Sequence, residues 1–298
     1  MISLKQIKYA LAVQKHLHFR KAAEECAVSQ SAMSTALAEM ERQLGFAVFE
    51  RNNKKVFVTP IGEQALQKAR AIQVEVNDLL RLVETQKSEL SYPMSVGIIP
   101  TICPYLLPAV LPGLRDNYPD FNMRVIEDQS QQLVEKVRAG LIDTAIVALP
   151  YDVEGLLTFD FWQEDFFWVT HSSELPANTR EIASNDIDQS RLILLQDGHC
   201  LKDHVLQACN MNSDQAHNLS ATSLTTVSQL VSGKMGTTLI PQMALPGLVN
   251  NNRELAAVHL SEPGPHRRIA FIVRPNYTGV KNIEALITLF KLSLTKLY

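Results

Sequence analysis

The apolar residues of this chain change their period at Tyr92-Pro93, and one folding unit cannot serve both patterns. Ahead of that point they recur at three- and four-residue steps, the spacing of a helix with one buried stripe. Beyond it, short apolar runs such as "MSVGIIP" and "DTAIVAL" alternate with helical stretches, the texture of an α/β sheet. The chain therefore reads as multidomain, with a helical front and about 200 residues of α/β structure, enough for two sub-lobes.

In the front, Ser3 and Gln6 form a capping box for a first helix whose stripe is Leu4, Ile7, Ala10 and Leu11. A second helix is expected over Phe19–Cys26. A tight turn "AVSQ" follows, and Ser29 caps a third helix that Gly45 stops after Leu44. Residues 49–59 read as a hairpin with Asn52, Asn53, Lys54 and Lys55 at its tip. Thr59-Pro60 opens a long fourth helix to about Glu89. Its positions Ala65, Ala69, Ile72, Val76, Leu79, Leu80 and Val83 suit a connector that pairs with a second copy of itself. Beyond Pro93, helices are expected at 104–117, 130–139, 223–233 and 280–296. Strands are expected at "NMRVIED", "FFWVTH", "RLILLQ", "TTLIP" and "IAFIV" besides the two above.

Charge divides with the texture. Residues 1–60 hold nine Lys/Arg against five Asp/Glu, a net of +4, and the rest nineteen against twenty-six, a net of −7. A basic front on an acidic body points to a polyanion met by the front alone. Two short helices at a tight turn give helix-turn-helix geometry. The open face of the third helix offers Ser29, Gln30, Ser31, Ser34 and Thr35 to base edges, while Arg51, Lys54 and Lys55 suit phosphates. No apolar run is long enough to span a membrane, no secretory leader is expected, and four cysteines in 298 residues fit a reducing cytoplasm.

Two of those cysteines lie in "DGHCLKDHVLQAC" (197–209). Were that stretch one helix, nine residues at 1.5 Å each would hold the Cα atoms of Cys200 and Cys209 roughly 13 Å apart. A disulfide tolerates at most about 7 Å, so a bond between them would require a change of shape.

"FRKAAEECAVSQSAMSTALAEMERQLGFAVFERNNKKVFVTPIGE" resembles the winged helix-turn-helix of LysR-type transcriptional regulators. The matching landmarks are Ala22-Ala23-Glu24, Val28-Ser29-Gln30, Ser34, Leu44-Gly45, Phe49-Glu50-Arg51 and Thr59-Pro60-Gly62. The chain departs from the pattern at Ser31, where relatives usually have Pro, and at Ala38, where a basic residue is common. The resemblance implies a winged helix-turn-helix over 1–59, a linker and dimerisation helix over 60–91, and a two-lobed α/β regulatory domain of the periplasmic-binding-protein type over 92–298. It also implies double-stranded DNA as partner, homodimers and homotetramers, and a contact with RNA polymerase.

The cysteine segment, "GIIPTICPYLLP" (97–108) and "ATSLTTVSQLVSGKMGTTLIP" (221–241) are similar to the peroxide-sensing members of that family. That likeness implies hydrogen peroxide as signal, Cys200 as the attacking thiol, Cys209 as its resolving partner, and a cellular reductant that resets the pair. It places Thr101, Ser130, His199, Asp203 and Arg267 around the peroxide. Cys200 stands at a strand-to-helix junction beside His199 and Lys202, where positive charge and a helix N-terminus would lower its pKa. Cys26 and Cys103 read as packing residues. Two other readings are a family member that senses a metabolite in the cleft between lobes, and a thiol peroxidase; the helix-turn-helix speaks against an enzyme. His199 and His204, five apart, do not match zinc spacing, and neither metal nor organic cofactor is expected.

Overall fold

Ser3 opens the first helix through reciprocal bonds, its backbone N–H donating to Gln6 Oε1 at 2.8 Å while its hydroxyl accepts from the Gln6 amide. The computed structural model describes residues 1–52, 55–85, 88–211 and 219–298. Helices α1 (Leu4–His16), α2 (Phe19–Glu25) and α3 (Gln30–Leu44) close around Tyr9, Val13, Ala22, Met33, Leu37 and Met40. Gly45 ends α3 at φ +78°, a left-handed conformation that suits a residue without Cβ. Strands β1 (Phe49–Asn52) and β2 (Lys55–Val58) pair as the antiparallel wing; Asn53 and Lys54, expected at its tip, lie outside the described residues.

Helix α4 (Pro60–Thr85) starts at Thr59, whose hydroxyl donates to Ala47 O at 2.7 Å and accepts from Gly62 N at 2.9 Å. It packs on α1. Ile72, Leu79 and Leu80 on the expected pairing stripe stay exposed, at 44, 65 and 69%. The described part of the helix ends at Thr85, residues 86 and 87 lie outside the described residues, and Glu89 and Leu90, near the expected end, belong to the next unit. There the Tyr118 hydroxyl donates to Glu89 Oε2 and Leu90 N donates to Asn282 Oδ1. Residues 1–86 and 87–298 are accordingly two compact units.

The second unit contains two lobes. Strands β3 (Met94–Ile98), β4 (Met123–Glu127), β5 (Thr144–Leu149) and β6 (Leu157–Glu164) build the first, with α5 (Cys103–Asn117) and α6 (Ser130–Arg138) between them. The chain then crosses at Asp165 into β7 (Phe166–His171), β8 (Glu181–Ile182) and β9 (Leu194–Leu195) of the second lobe. There follow α7 (Cys200–Ala208), β10 (Ser220–Ala221), α8 (Leu224–Ser232), β11 (Thr238–Pro241), α9 (Leu245–Leu248) and β12 (Leu255–Leu260). Finally β13 (Arg267–Val273) returns to the first sheet and α10 (Val280–Thr295) covers it. The sheets run β4-β3-β5-β13-β6 and β11-β7-β12-β8, and each lobe has its own apolar core. At the two crossings β6 and β13 pair antiparallel, which sets Glu164 opposite Arg267.

Candidate functional site

Arg267 is the largest fully buried side chain among the described residues of the unit, 1% exposed. Its Nε donates to Glu164 Oε1 at 2.6 Å, and the other Glu164 oxygen accepts from Met243 N at 2.7 Å. The guanidinium reaches on to Thr101, Nη1 donating to Oγ1 at 3.3 Å and Nη2 to the carbonyl at 3.2 Å. An ion pair without water is tolerated only when each remaining donor and acceptor finds a partner, and this one meets most of that demand.

Cys200 lies beside this network at the first residue of α7 and is 4% exposed. Burial pushes its thiol up. The Ser130 hydroxyl, the positive charge of Arg267 and the Ala148 backbone favour the thiolate, and the Asp203 charge opposes it. Ser130 is itself 1% exposed, and its Oγ has no other hydrogen-bond partner among the described residues. Position 200 is brought there by Gly198, which adopts φ +92° and abuts Gln129, the N-cap residue of α6. A Cβ at 198 would stand 2.4 Å from Gln129 Oε1. Gly198→Ala is expected to destabilise the unit by about 1–3 kcal/mol, from backbone strain, and to slow Cys200 oxidation by displacing Ser130. Thermal melts and a peroxide time course check this together.

Thr101, Ser130, Cys200 and Arg267 thus come together as buried groups, with His199 buried beside Cys200 in the chain, while two expectations about their surroundings need correction. Asp203 is exposed rather than buried with them, and only its charge reaches the thiol. Cys200, Leu201, His204 and Val205 mark the inward face of α7, and Asp203, rotated by roughly 130° from its centre, is exposed. The positive charge at the thiol also comes from elsewhere. Lys202 Nζ is held by Asp197 at 2.6 Å, and burial pushes His199 down, so it is neutral. The charge is that of Arg267, 67 positions away in sequence, and it does not overcome burial: the resting thiol is raised, not lowered.

Cys209 is 2% exposed and belongs to the other core. Burial, reinforced by the Glu262 charge, raises it to about 12. Cys200 is packed in the core of the first lobe, Cys209 in that of the second, and both are free thiols with a helix between them. Cys103 is also buried, its thiol raised to about 12 by burial and a hydrogen bond to Glu127; Cys26 is half-buried against the front core. Sequence reasoning missed Glu164, Gln129 and the environment of His204.

In the front unit, Ser29 caps α3 by accepting from Ala32 N at 3.1 Å, and its hydroxyl is 3.0 Å from that of Ser31. Gln30, Ser31 and Thr35 are exposed, Ser34 is half-buried, and Lys55 is exposed on β2. The Arg51 side chain and Lys54 lie outside the described residues. Glu39 is occupied within its own helix, bound by Arg42 at 2.6 and 2.7 Å and held at about 2. Arg42 is thereby partly neutralised, while Lys55 on the wing is exposed.

Comparison with known proteins accounts for both units. Residues 4–63 match the bacterial regulatory helix-turn-helix of the LysR family, and residues 87–294 its substrate-binding domain. The chain is 33% identical to the HTH-type transcriptional regulator EstR of Acinetobacter baylyi over 97% of this chain and 96% of that protein. It is 32% identical to the hydrogen peroxide-inducible genes activator of Pectobacterium carotovorum, over 92% and 91%. A full-length OxyR variant from Pseudomonas aeruginosa superposes with a TM-score of 0.81 at 29% identity, covering 98% of both chains. Among the described residues no helix is long and apolar enough to cross a membrane. With both halves matched in order and over almost their whole length, the chain belongs to the LysR family of DNA-binding transcription regulators.

Proposed function

We propose that this regulator responds to hydrogen peroxide through Cys200 and Cys209. The observation that carries the reading is their placement, two reduced thiols at the ends of one short helix, each sealed in a different core. Peroxide oxidises Cys200 to a sulfenic acid; the Cys209 thiol attacks that sulfur, a disulfide forms and water leaves. The helical spacing forbids the bond in the resting fold, so oxidation must unwind α7. The rearrangement is relayed to the DNA-binding unit and changes its grip on the operator. Support comes from the cluster of Thr101, Ser130 and Arg267 at the sulfur and from likeness to a peroxide-inducible activator. In this reading Ser29, Gln30, Ser31, Ser34 and Thr35 face bases, while Arg51, Lys54 and Lys55 face phosphates. The protein works as a dimer of dimers through α4 and the regulatory lobes, contacts RNA polymerase, and is reset by a cellular dithiol reductant.

EstR supports a second reading, because its name makes no mention of peroxide and its match is as extensive. There the effector is a metabolite and the cysteines are bystanders. One experiment separates the two. After stoichiometric peroxide, peptide mass spectrometry is expected to find the Cys200–Cys209 bond in most molecules. Thiols that survive untouched would leave the metabolite reading standing.

A further inference from the structure

Resting on the peroxide reading, we infer that His204 takes the proton of the Cys200 thiol and returns it to the oxygen that leaves peroxide. The argument starts from what the site lacks. Cys200 is buried, yet it must lose a proton to attack. Arg267 is permanently protonated, and the hydroxyls of Thr101 and Ser130 are not bases at neutral pH. A proton acceptor must therefore come from another side chain.

His204 lies four residues after Cys200, so both occupy one face of α7 a single turn apart. It is 3% exposed. Its Nε2 is 2.8 Å from the Pro150 carbonyl, which can only accept, so Nε2 carries the hydrogen and Nδ1 keeps a lone pair. That Nδ1 is buried and has no hydrogen-bond partner among the described residues. A buried acceptor left open is unusual, and here the residue that carries it lies on the same face of α7 as Cys200.

The groups around the imidazole keep it in its base form at rest. Burial and the Arg267 charge from β13 disfavour the imidazolium; the Pro150 carbonyl and Asp203 oppose them without prevailing. Cys200 shares its helix, and Tyr151, next to Pro150, senses Cys200, Asp152, Asp203 and Glu135.

The step balances. The thiol proton moves to Nδ1, and the thiolate attacks one peroxide oxygen. The S–O bond forms as the O–O bond breaks, and the departing hydroxide takes the proton back from Nδ1 to become water. Sulfur loses two electrons and peroxide gains them, while His204 ends as it began.

The test is the rate of Cys200 oxidation in the full-length protein between pH 5 and 9, followed by trapping the sulfenic acid. In the wild type the rate is expected to rise as the imidazole loses its proton, with a midpoint below the ordinary 6.5, and then to level off through neutrality. In His204→Gln, oxidation at pH 7 is expected to be about tenfold to hundredfold slower, within the range of a lost general base. That gap should close as pH approaches the thiol's own ionisation, a trend that a purely structural lesion would not produce. A wild-type rate that follows only the thiol's ionisation would overturn the assignment, whether or not the variant folds. So would His204→Gln reacting like the parent, or a loss confined to His199→Gln. A wild-type Cys200 inert to peroxide at every pH would instead remove the underlying reading.

Discussion

Glu164→Ala is expected to cost the regulatory unit about 3–5 kcal/mol, because it strands the Arg267 charge in a dry interior. Both side chains of the pair are 0% exposed. Among the described residues Glu164 supplies the only carboxylate bound to that guanidinium, at 2.6 Å, and its second oxygen also holds the Met243 amide. Arginine has no neutral form to retreat to, so the imbalance cannot be relieved by titration. For a domain of this size the loss corresponds to a fall in Tm of roughly 6–20 °C. Replacing both residues by methionine should recover most of it, since two apolar side chains leave no charge behind. Thermal denaturation of the three proteins checks the argument; a single variant melting within about 3 °C of the parent would refute it. The pair sits where β6 and β13 cross between lobes, so the same substitution should also loosen the lobes' relative placement and the Thr101 contact.

Glu164 also illustrates what the sequence conceals. A carboxylate in "FWQED" reads as a solvent-facing residue, and its partner lies 103 positions away. Only the β6–β13 register brings them together, and strand β6 was itself absent from the expected elements, as was β12. Local signals fared better because their physics is local. Ser3 with Gln6, Ser29, Gly45 and Thr59-Pro60 mark helix ends through bonds within four residues, and α1, α3 and the start of α4 fall where those caps put them. The expected strand "RLILLQ" shrinks to two residues, β9, since an apolar run shows burial but not pairing. The electrostatics of Cys200 failed for the same reason as Glu164. Lys202 and His199 are its neighbours in sequence, but one is turned to Asp197 and the other is neutralised by burial, leaving a distant arginine to act on the sulfur.

Oxidation is expected to strip α7 of its hydrogen-exchange protection, and this effect should be the largest that peroxide produces in the molecule. At rest the helix closes on itself, with Cys209 N donating to Val205 O at 3.0 Å and Met211 N to Leu206 O at 2.9 Å. Leu201 and Val205, each 2% exposed, anchor it in the second core. Bringing Cα atoms from roughly 13 Å to within about 7 Å cannot be done by rotating side chains; most of the helix's hydrogen bonds must break. Exposing Leu201 and Val205 in the process forfeits roughly 3–6 kcal/mol of apolar burial, which the new bond has to offset. Amides from 203 to 209 should therefore exchange at least about a hundredfold faster after stoichiometric peroxide, moving from near-global to local opening. Cys200→Ser should keep its resting protection under the same treatment. In Cys209→Ser, sulfenic acid should form while α7 stays protected, which separates the chemistry at the first sulfur from the movement that the second one requires. Full protection in molecules already carrying the disulfide would mean that the spacing of the two thiols does not drive the switch.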